Sequence, residues 1–186
     1  VKKDYPQLLH HNIFFGENYL QNFNELFEEK KSSDQTSLYV NMPTRTNPKL
    51  SPKGKHLLTV LVPVPSNDIK SQYMIDWEKE KKAFAQRIIA RLEGFGLEGL
   101  SKNIEMMELF TPEDWEKLGG MHFGATFGLS PTFLQSSVVR PQQKSEEIQN
   151  LFFVGASTHP GSGMPMVLIS ARTCAEKILG AFIPEK

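Results

Sequence analysis

Apolar residues recur at helical spacing in four stretches of the chain. The longest is "DWEKEKKAFAQRIIARLEG", where Trp77, Phe84, Ile88 and Leu92 form one stripe behind Asp76, a candidate N-cap. The starts of the three shorter stripes are marked by Asn18, by Thr111 in a capping-box pattern and by Pro165. The spacing therefore predicts four helices, each with its own start signal.

Alternating or continuous apolar runs mark the predicted strands. "LYVNMP" alternates Leu38, Val40 and Met42 with other residues, which is typical of a half-buried strand. "HLLTVLVPV" is mostly apolar and predicts a central strand that ends near Pro63. "HNIFF", "IEMMELF" and "LFFV" are the other strand candidates. The order of elements predicts an α+β fold in which helices pack on a mixed β-sheet.

Composition narrows the class of protein. The 186 residues are 39% apolar and 23% charged, as in a globular chain with a sizeable core. The formal net charge is zero, so the sequence shows no electrostatic footprint for nucleic acid. Cys174 is the only cysteine, which excludes an intrachain disulfide framework, and no apolar run approaches the ~20 residues of a membrane span. The chain opens on Val1 without a signal-peptide pattern, so we expect a piece of a longer polypeptide.

Two patterns that commonly indicate a cofactor or metal site fail on context. "GFGLEG" (Gly94–Gly99) matches a dinucleotide-binding pattern in its letters, but a predicted helix precedes it where that motif requires a strand. Gly94 is instead predicted to end this helix in the left-handed conformation. The adjacent His10 and His11 should point to opposite faces of a strand, and the other histidines have no ligand spacing. We therefore expect no metal site.

The glycine-rich loop in "NLFFVGASTHPGSGMPMVLISA" has the strand-to-helix order that "GFGLEG" lacks. A short apolar run leads to Gly155, and Pro165 suits the first position of a helix. The loop is either a plain tight turn or a helix N-terminus whose free N–H groups face an anion or an acceptor oxygen. The predicted apolar stripe of the helix comprises Val167, Ala171, Cys174 and Ile178.

The same stretch resembles the C-terminal flavin-binding signature of the carotenoid desaturases, which include phytoene and dehydrosqualene desaturases. The resemblance extends, in family order, to "YPQLLHHNIFFGENY", "LYVNMPTRTNPKLSPKGKHLLTVLVPVP" and "LFTPEDWEKLGGMHFGATFGL". It implies that residues 1–149 form most of a substrate-binding domain. Residues 150–186 would be the C-terminal strand, loop and helix of an α/β, Rossmann-like FAD-binding domain, whose N-terminal unit this chain lacks.

The resemblance also implies the chemistry of the full-length protein. It would be an FAD-dependent oxidoreductase that dehydrogenates an acyclic polyene by hydride transfer to flavin N5. The carotenoid would be bound by the aromatic segment "GGMHFGATFGL", at His122, Phe123 and Phe127. The alternative is that these side chains pack in a domain core. Arg140 would reach the flavin site or cap a surface turn, His159 would fix the loop or move a proton, and no general base is identified. The implied cofactor-binding positions are Gly155, Ala156, Ser157, Thr158, Gly161, Gly163, Met164, Pro165 and Met166.

Other functions stay open beside this one. A related flavoprotein carotenoid or retinoid oxidase or saturase would carry the same flavin signature, and a stand-alone domain without FAD would keep the fold. Because half of the FAD site is missing, the isolated chain is expected to lack FAD and to be inactive. The parent is expected in the cytoplasm, peripheral to the membrane that holds its substrate. Exposure of a face meant for the missing domain makes self-association of this chain an expectation.

Overall fold

The computed structural model describes residues 1–68, 75–130, 132–135 and 139–180, and the chain divides into two compact units, Val1–Asp114 and Trp115–Lys186. The predicted domain boundary at residues 149 and 150 falls inside the second unit and remains a prediction. The strands are β1 (His11–Phe14), β2 (Leu38–Asn41) and β3 (Thr59–Leu61). The α-helices are α1 (Tyr19–Phe27), α2 (Trp77–Gly94), α3 (Leu100–Asn103), α4 (Pro112–Gly119) and α5 (Met164–Leu179).

The sheet of the first unit has the order β1-β2-β3, and both pairings are antiparallel. The predicted alternation in β2 is confirmed, since Leu38, Val40 and Met42 are fully buried on one face. The expected central position of "HLLTVLVPV" is wrong, because β2 is central and β3 is a three-residue edge strand. Pro63 follows β3 closely and has no N–H to continue a ladder. The mixed sheet and the Rossmann-like extension remain predictions.

Helix α2 supplies much of the core of the first unit. The side chain of Asp76 accepts a hydrogen bond from the Lys79 N–H, which confirms it as the N-cap. The predicted stripe is also confirmed, since each of its four residues is at least nine-tenths buried. These residues join β2 and the chain start in one hydrophobic cluster. Burying a side chain of this size contributes up to ~1.5–3 kcal/mol, so α2 fixes the fold of this unit.

The end of α2 explains the glycines of "GFGLEG". Gly94 is the last helical residue and is not left-handed, so that prediction is wrong by two positions: Gly96 has the positive φ, of 95°. The Leu97 N–H bonds to the Leu92 carbonyl and the Gly96 N–H to the Glu93 carbonyl, which is a Schellman motif. Leu97 and Leu92 are both buried. A helix thus precedes this pattern, and α3 rather than the expected strand follows it.

Helix α1 begins at its predicted cap but buries one polar residue, Asn22, instead of its apolar stripe. The side chain of Asn18 accepts a hydrogen bond from the Gln21 N–H. Asn22 is buried and donates to the Gln35 carbonyl, while its own oxygen accepts from the Ser33 hydroxyl. These bonds hold the polar side of α1 against the connector and leave an apolar stripe exposed. The exposed members of that stripe are Tyr19, Leu20, Phe23 and Phe27.

Two predicted strands do not form. Residues 104–110, "IEMMELF", make no strand, and Met106 and Met107 are exposed. "LFFV" is reduced to one antiparallel bridge between Phe152 and Lys144, extended by a 2.8 Å bond from the Phe153 N–H to the Gln143 carbonyl. A strand needs a neighbour for its N–H and C=O groups, and the described part of the chain offers these runs only that bridge.

The start of α4 confirms the predicted capping box. The Asp114 carboxylate accepts from the Thr111 N–H at 2.8 Å, and the Thr111 hydroxyl oxygen accepts from the Asp114 N–H. Lys81, on α2, also reaches this carboxylate, at 2.6 Å. The Lys81 hydrogen bond and the bonds from Thr111 lower the pKa of Asp114 to about 2. One carboxylate therefore caps the first turn of α4 and pairs with Lys81.

Candidate functional site

The glycine-rich loop leads into α5 through a backbone conformation that only glycine adopts readily. Gly163, the N-cap residue, has φ of 102° and ψ of 144°. Pro165 is the second residue of α5, one position later than predicted, and the Val167 N–H bonds to the Gly163 carbonyl. No side chain of the described residues caps this helix. The first-turn N–H groups of a 16-residue helix therefore carry partial positive charge at the loop.

Two buried hydroxyl groups hold the start of the loop against α5. The Thr158 and Ser170 hydroxyl oxygens lie 2.7 Å apart, and both side chains are buried. Thr158 also donates to the Gly155 carbonyl at 2.9 Å, while the Gly155 N–H donates to Ser170 at 3.3 Å. Both polar groups of the Gly155 backbone thus have partners. The Thr158 hydroxyl therefore bonds within the loop and to α5, and its predicted contact with a cofactor remains a prediction.

A second set of bonds comes from the segment that precedes the bridge. Gln143 is fully buried; its amide nitrogen donates to the His159 carbonyl at 2.5 Å, and its amide oxygen accepts from Lys177 on α5 at 2.8 Å. The His159 N–H donates to the Pro141 carbonyl at 2.9 Å. The backbone of His159 is therefore held on both sides. These bonds are made by the backbone, so the role of the His159 side chain remains a prediction.

Arg140 resolves the alternative that the sequence left open. It is 3% exposed, and its guanidinium donates to the Ala156 carbonyl at 2.5 Å and to the Leu129 carbonyl at 2.7 Å. A Cβ at Gly161 would lie 3.5 Å from Nε of Arg140. Arg140 therefore reaches the glycine-rich loop and is not a surface cap.

The aromatic segment proposed for substrate approaches this loop at one point. A Cβ on Gly128 would lie 2.5 Å from the Ser157 hydroxyl oxygen and 3.2 Å from the Ser157 N, so the two backbones meet where only glycine fits. The neighbouring Phe127 is 64% exposed, which excludes a core role for it within this unit. His122 and Phe123 contact each other, with ring centroids 3.9 Å apart.

The predicted cofactor positions divide into an inner and an outer group. Thr158 and Gly161 are buried and support the loop. Ser157 and the helix start are exposed, and a Cβ at Gly155 or Gly163 would meet no atom within 4 Å. The outer group therefore borders open space, with helix N–H groups beside it, and suits a ligand that presents acceptor oxygens. The exposed helix-start residues are Gly163, Met164, Pro165 and Met166.

The inward face of α5 differs from the predicted stripe. Cys174 is buried as expected, but Ala171 and Ile178 are exposed. The buried line instead runs from Ser170 to Cys174, because Thr158 needs a hydroxyl partner there. Ser170 lies four residues before Cys174, on the same side of α5, and this spacing is the sequence signal that would have indicated it. Gln143 and Gly128 carried no comparable signal, since their roles depend on segments distant in sequence.

The structure describes all five histidines. No group of three potential ligands occurs among the residues that the structure describes. The expectation that His10 and His11 face apart is wrong: their ring centroids lie 4.3 Å apart. Nδ1 of His10 lies 2.6 Å from the Thr46 hydroxyl oxygen, and Nδ1 of His11 lies 2.6 Å from the Tyr39 hydroxyl oxygen. Separately, no described helix combines the length and apolarity needed to cross a membrane.

Comparison with known proteins identifies relatives over almost the whole chain. No known protein-family profile matches it. The chain is 42% identical, over 96% of its length, to a zeta-carotene-forming phytoene desaturase of Myxococcus xanthus, and covers 34% of that protein. It is 38% identical over 91% of its length to a 4,4'-diapophytoene desaturase of Staphylococcus aureus, covering 34% of it. It is also 38% identical over 91% of its length to a 4,4'-diapolycopen-4-al dehydrogenase of Metabacillus indicus, covering 33%.

These relatives define a class of carotenoid-modifying enzymes. Its relatives at 37–42% identity include phytoene and diapophytoene desaturases, so the chain is homologous to about a third of a carotenoid desaturase. It spans about a third of the length of the curated relatives it matches. The resemblance that the sequence indicated is thereby confirmed.

Proposed function

We propose that this chain is the C-terminal part of an FAD-dependent carotenoid desaturase that dehydrogenates an acyclic polyene. The single observation that carries the proposal is identity of 37–42% to carotenoid desaturases across 91–96% of the chain. The open, uncapped helix start beside the glycine-rich loop supports it independently.

The residues of the loop fit one edge of a flavin ring. Met164 and Met166 lie in the first turn of α5, where the N–H groups have no side-chain cap from the described residues. The ring carbonyl oxygens of a flavin are acceptors suited to such donors, and the helix dipole favours negative charge there. When bound, FAD supplies a hydride acceptor, N5, for one substrate hydrogen while the other leaves as a proton.

The chain would contribute to substrate orientation through its aromatic segment. Phe127 is exposed and directly precedes Gly128, where this segment meets the glycine-rich loop. A long polyene has no polar groups for hydrogen bonding, so its position is set by the apolar side chains that line its binding site. We propose His122, Phe123 and Phe127 as part of such a wall. The parent enzyme would act in the cytoplasm, at the surface of the membrane that dissolves its substrate.

A second candidate function is oxidation of a carotenoid end group. It is favoured by the relative named as a 4,4'-diapolycopen-4-al dehydrogenase, whose identity to this chain is nearly as high. The same fold and loop can serve either reaction, because the substrate-facing residues decide the specificity.

One experiment separates these candidates. The full-length protein is produced in cells that accumulate an acyclic carotenoid, and the extracted pigments are analysed beside those of cells without the gene. New conjugated double bonds would support the desaturase, and a carboxylated or carbonyl-bearing product would support the end-group oxidase. The purified full-length protein should carry FAD in about equimolar amount, whereas this chain alone should be colourless. A full-length protein without flavin would overturn the proposal.

A further inference from the structure

Arg140 is a charged side chain that is buried directly against the glycine-rich loop. Its Nη1 donates to the Ala156 carbonyl and its Nη2 to the Leu129 carbonyl, so one guanidinium bridges two separate segments. The planar, fork-shaped arrangement of donors is specific to arginine, and a lysine ammonium cannot reproduce it. The contact therefore fixes the distance between the loop and the segment that follows Phe127.

The same guanidinium also lies against the far end of the loop. A Cβ at Gly161 would stand 3.5 Å from Nε and 3.7 Å from Cζ of Arg140, and Gly161 has φ of 141°. Ala156, near the start of the loop, and Gly161, near its end, thus border one planar group. The spacing between these two parts of the loop is set by Arg140.

The acceptors around Arg140 are neutral. Both hydrogen bonds of its guanidinium go to backbone carbonyl oxygens, and none of the described carboxylates makes an ion pair with it. Burial of a cation without an anion costs several kcal/mol, and a neutral side chain could support a loop without this cost. The charge therefore indicates a ligand that carries or develops negative charge beside the loop.

We propose that Arg140 is a positioning residue of the flavin site: its guanidinium holds the loop in the shape that binds the cofactor, and its charge favours a negatively charged ligand. This inference rests on the proposed function, that the loop binds FAD. Arg140 acts through Ala156 and Gly161 and is not a catalytic residue.

The first test needs no flavin. Amide hydrogen exchange of the full-length protein is compared between the natural sequence and Arg140→Lys. Lysine keeps the positive charge but lacks the fork-shaped donors of the guanidinium. Loss of the bridge should raise exchange at positions 156–163 about tenfold, the equivalent of one hydrogen bond. Arg91→Lys is the matched control, because Arg91 also donates to backbone carbonyls, at Asp34 and Gln35, but in the other unit. Unchanged exchange in the loop of Arg140→Lys would overturn the inference.

The second test measures flavin affinity and its rescue. Arg140→Ala should raise the Kd for FAD at least about tenfold. Added guanidinium ion should restore affinity and methylammonium ion at the same ionic strength should not, since only the former supplies a fork. A merely structural loss would respond to neither ion. If Arg140→Ala does not fold, the Kd of Arg140→Lys is measured, and a value equal to that of the natural protein contradicts the inference.

The outcomes distinguish this inference from the proposed function. Absence of FAD from the natural full-length protein would refute the flavin assignment, while the exchange experiment would still decide whether Arg140 shapes the loop. Normal FAD affinity in both Arg140 variants would refute the inference and leave the flavin assignment intact.

Discussion

The hydroxyl groups of Thr158 and Ser170 lie 2.7 Å apart in the buried contact between the glycine-rich loop and α5. Because Ser170 also accepts from the Gly155 N–H, Ser170→Ala would leave that N–H without its acceptor. That N–H is only partly buried, so the free energy of unfolding should fall by about 1 kcal/mol, the typical net contribution of one hydrogen bond. Chemical denaturation of Ser170→Ala, Thr158→Val and the double variant measures both the loss and the coupling. Additive effects would mean that the two hydroxyls do not interact.

The conformation of Gly163 is expected to be essential for flavin binding. Gly163→Val in the full-length protein places a β-branched side chain at φ of 102°, so the start of α5 must shift. The Kd for FAD should rise at least about tenfold, since 1.4 kcal/mol of strain suffices for that change. Gly54→Val is the control, because Gly54 also has a positive φ, of 77°, and lies in the other unit. Equal flavin loss in both variants would indicate a general folding defect.

Leu92 should be one of the most sensitive core positions. It is 1% exposed and forms the buried end of α2, so Leu92→Ala removes packed methyl groups and leaves a cavity. Such changes cost ~2–5 kcal/mol. Leu118→Ala, at a position that is 73% exposed, should change stability by less than about 0.5 kcal/mol. Urea unfolding monitored by tryptophan fluorescence compares the two, and similar midpoints would contradict the assignment of the core.

The contacts of Asp114 predict a pH dependence of stability. Its pKa is lowered to about 2, so the charged form is favoured by folding. The stabilisation is present above pH ~4, the value for an unfolded aspartate, and is lost as the pH falls towards 2. Both side chains of the Lys81 pair are about one-third exposed, so screening limits the contribution to ~1 kcal/mol. Asp114→Asn should therefore lower the free energy of unfolding at pH 6 and make little difference near pH 2. An equal loss of unfolding free energy at pH 6 and near pH 2 would show that the effect does not come from the charge of Asp114.

The exposed apolar side of α5 predicts self-association of this chain. Leu168 and Leu179 are 71% and 68% exposed. Leu168→Glu should reduce the mass measured by light scattering, because it places a charge on this surface. Gln149→Glu adds the same charge at another exposed position and should have no effect. A monomer for the unmodified chain at all concentrations would show that this surface does not associate.

Local patterns were sufficient for the elements that depend on neighbours in sequence. The caps at Asp76, Asn18 and Thr111 and the buried stripe of α2 followed from residues within one or two turns of each other. The capping residue bonds to N–H groups three positions away, and an amphipathic face repeats every 3.6 residues, so both are visible in a short window. The family resemblance of the loop was likewise a local pattern, and the relatives confirmed it.

Tertiary structure alone decided what depends on distant partners. The central strand proved to be β2 rather than the most apolar run, because ladder pairing is settled by which strands meet. Helix α1 buried Asn22 instead of its apolar stripe, because the connector offered hydrogen-bond partners to its polar side. At the site, the sequence determined the loop and its glycines. Only the fold brought Arg140 and Gln143 to that loop. Both side chains donate hydrogen bonds to backbone carbonyl oxygens, and such acceptors leave no pattern in the amino-acid sequence.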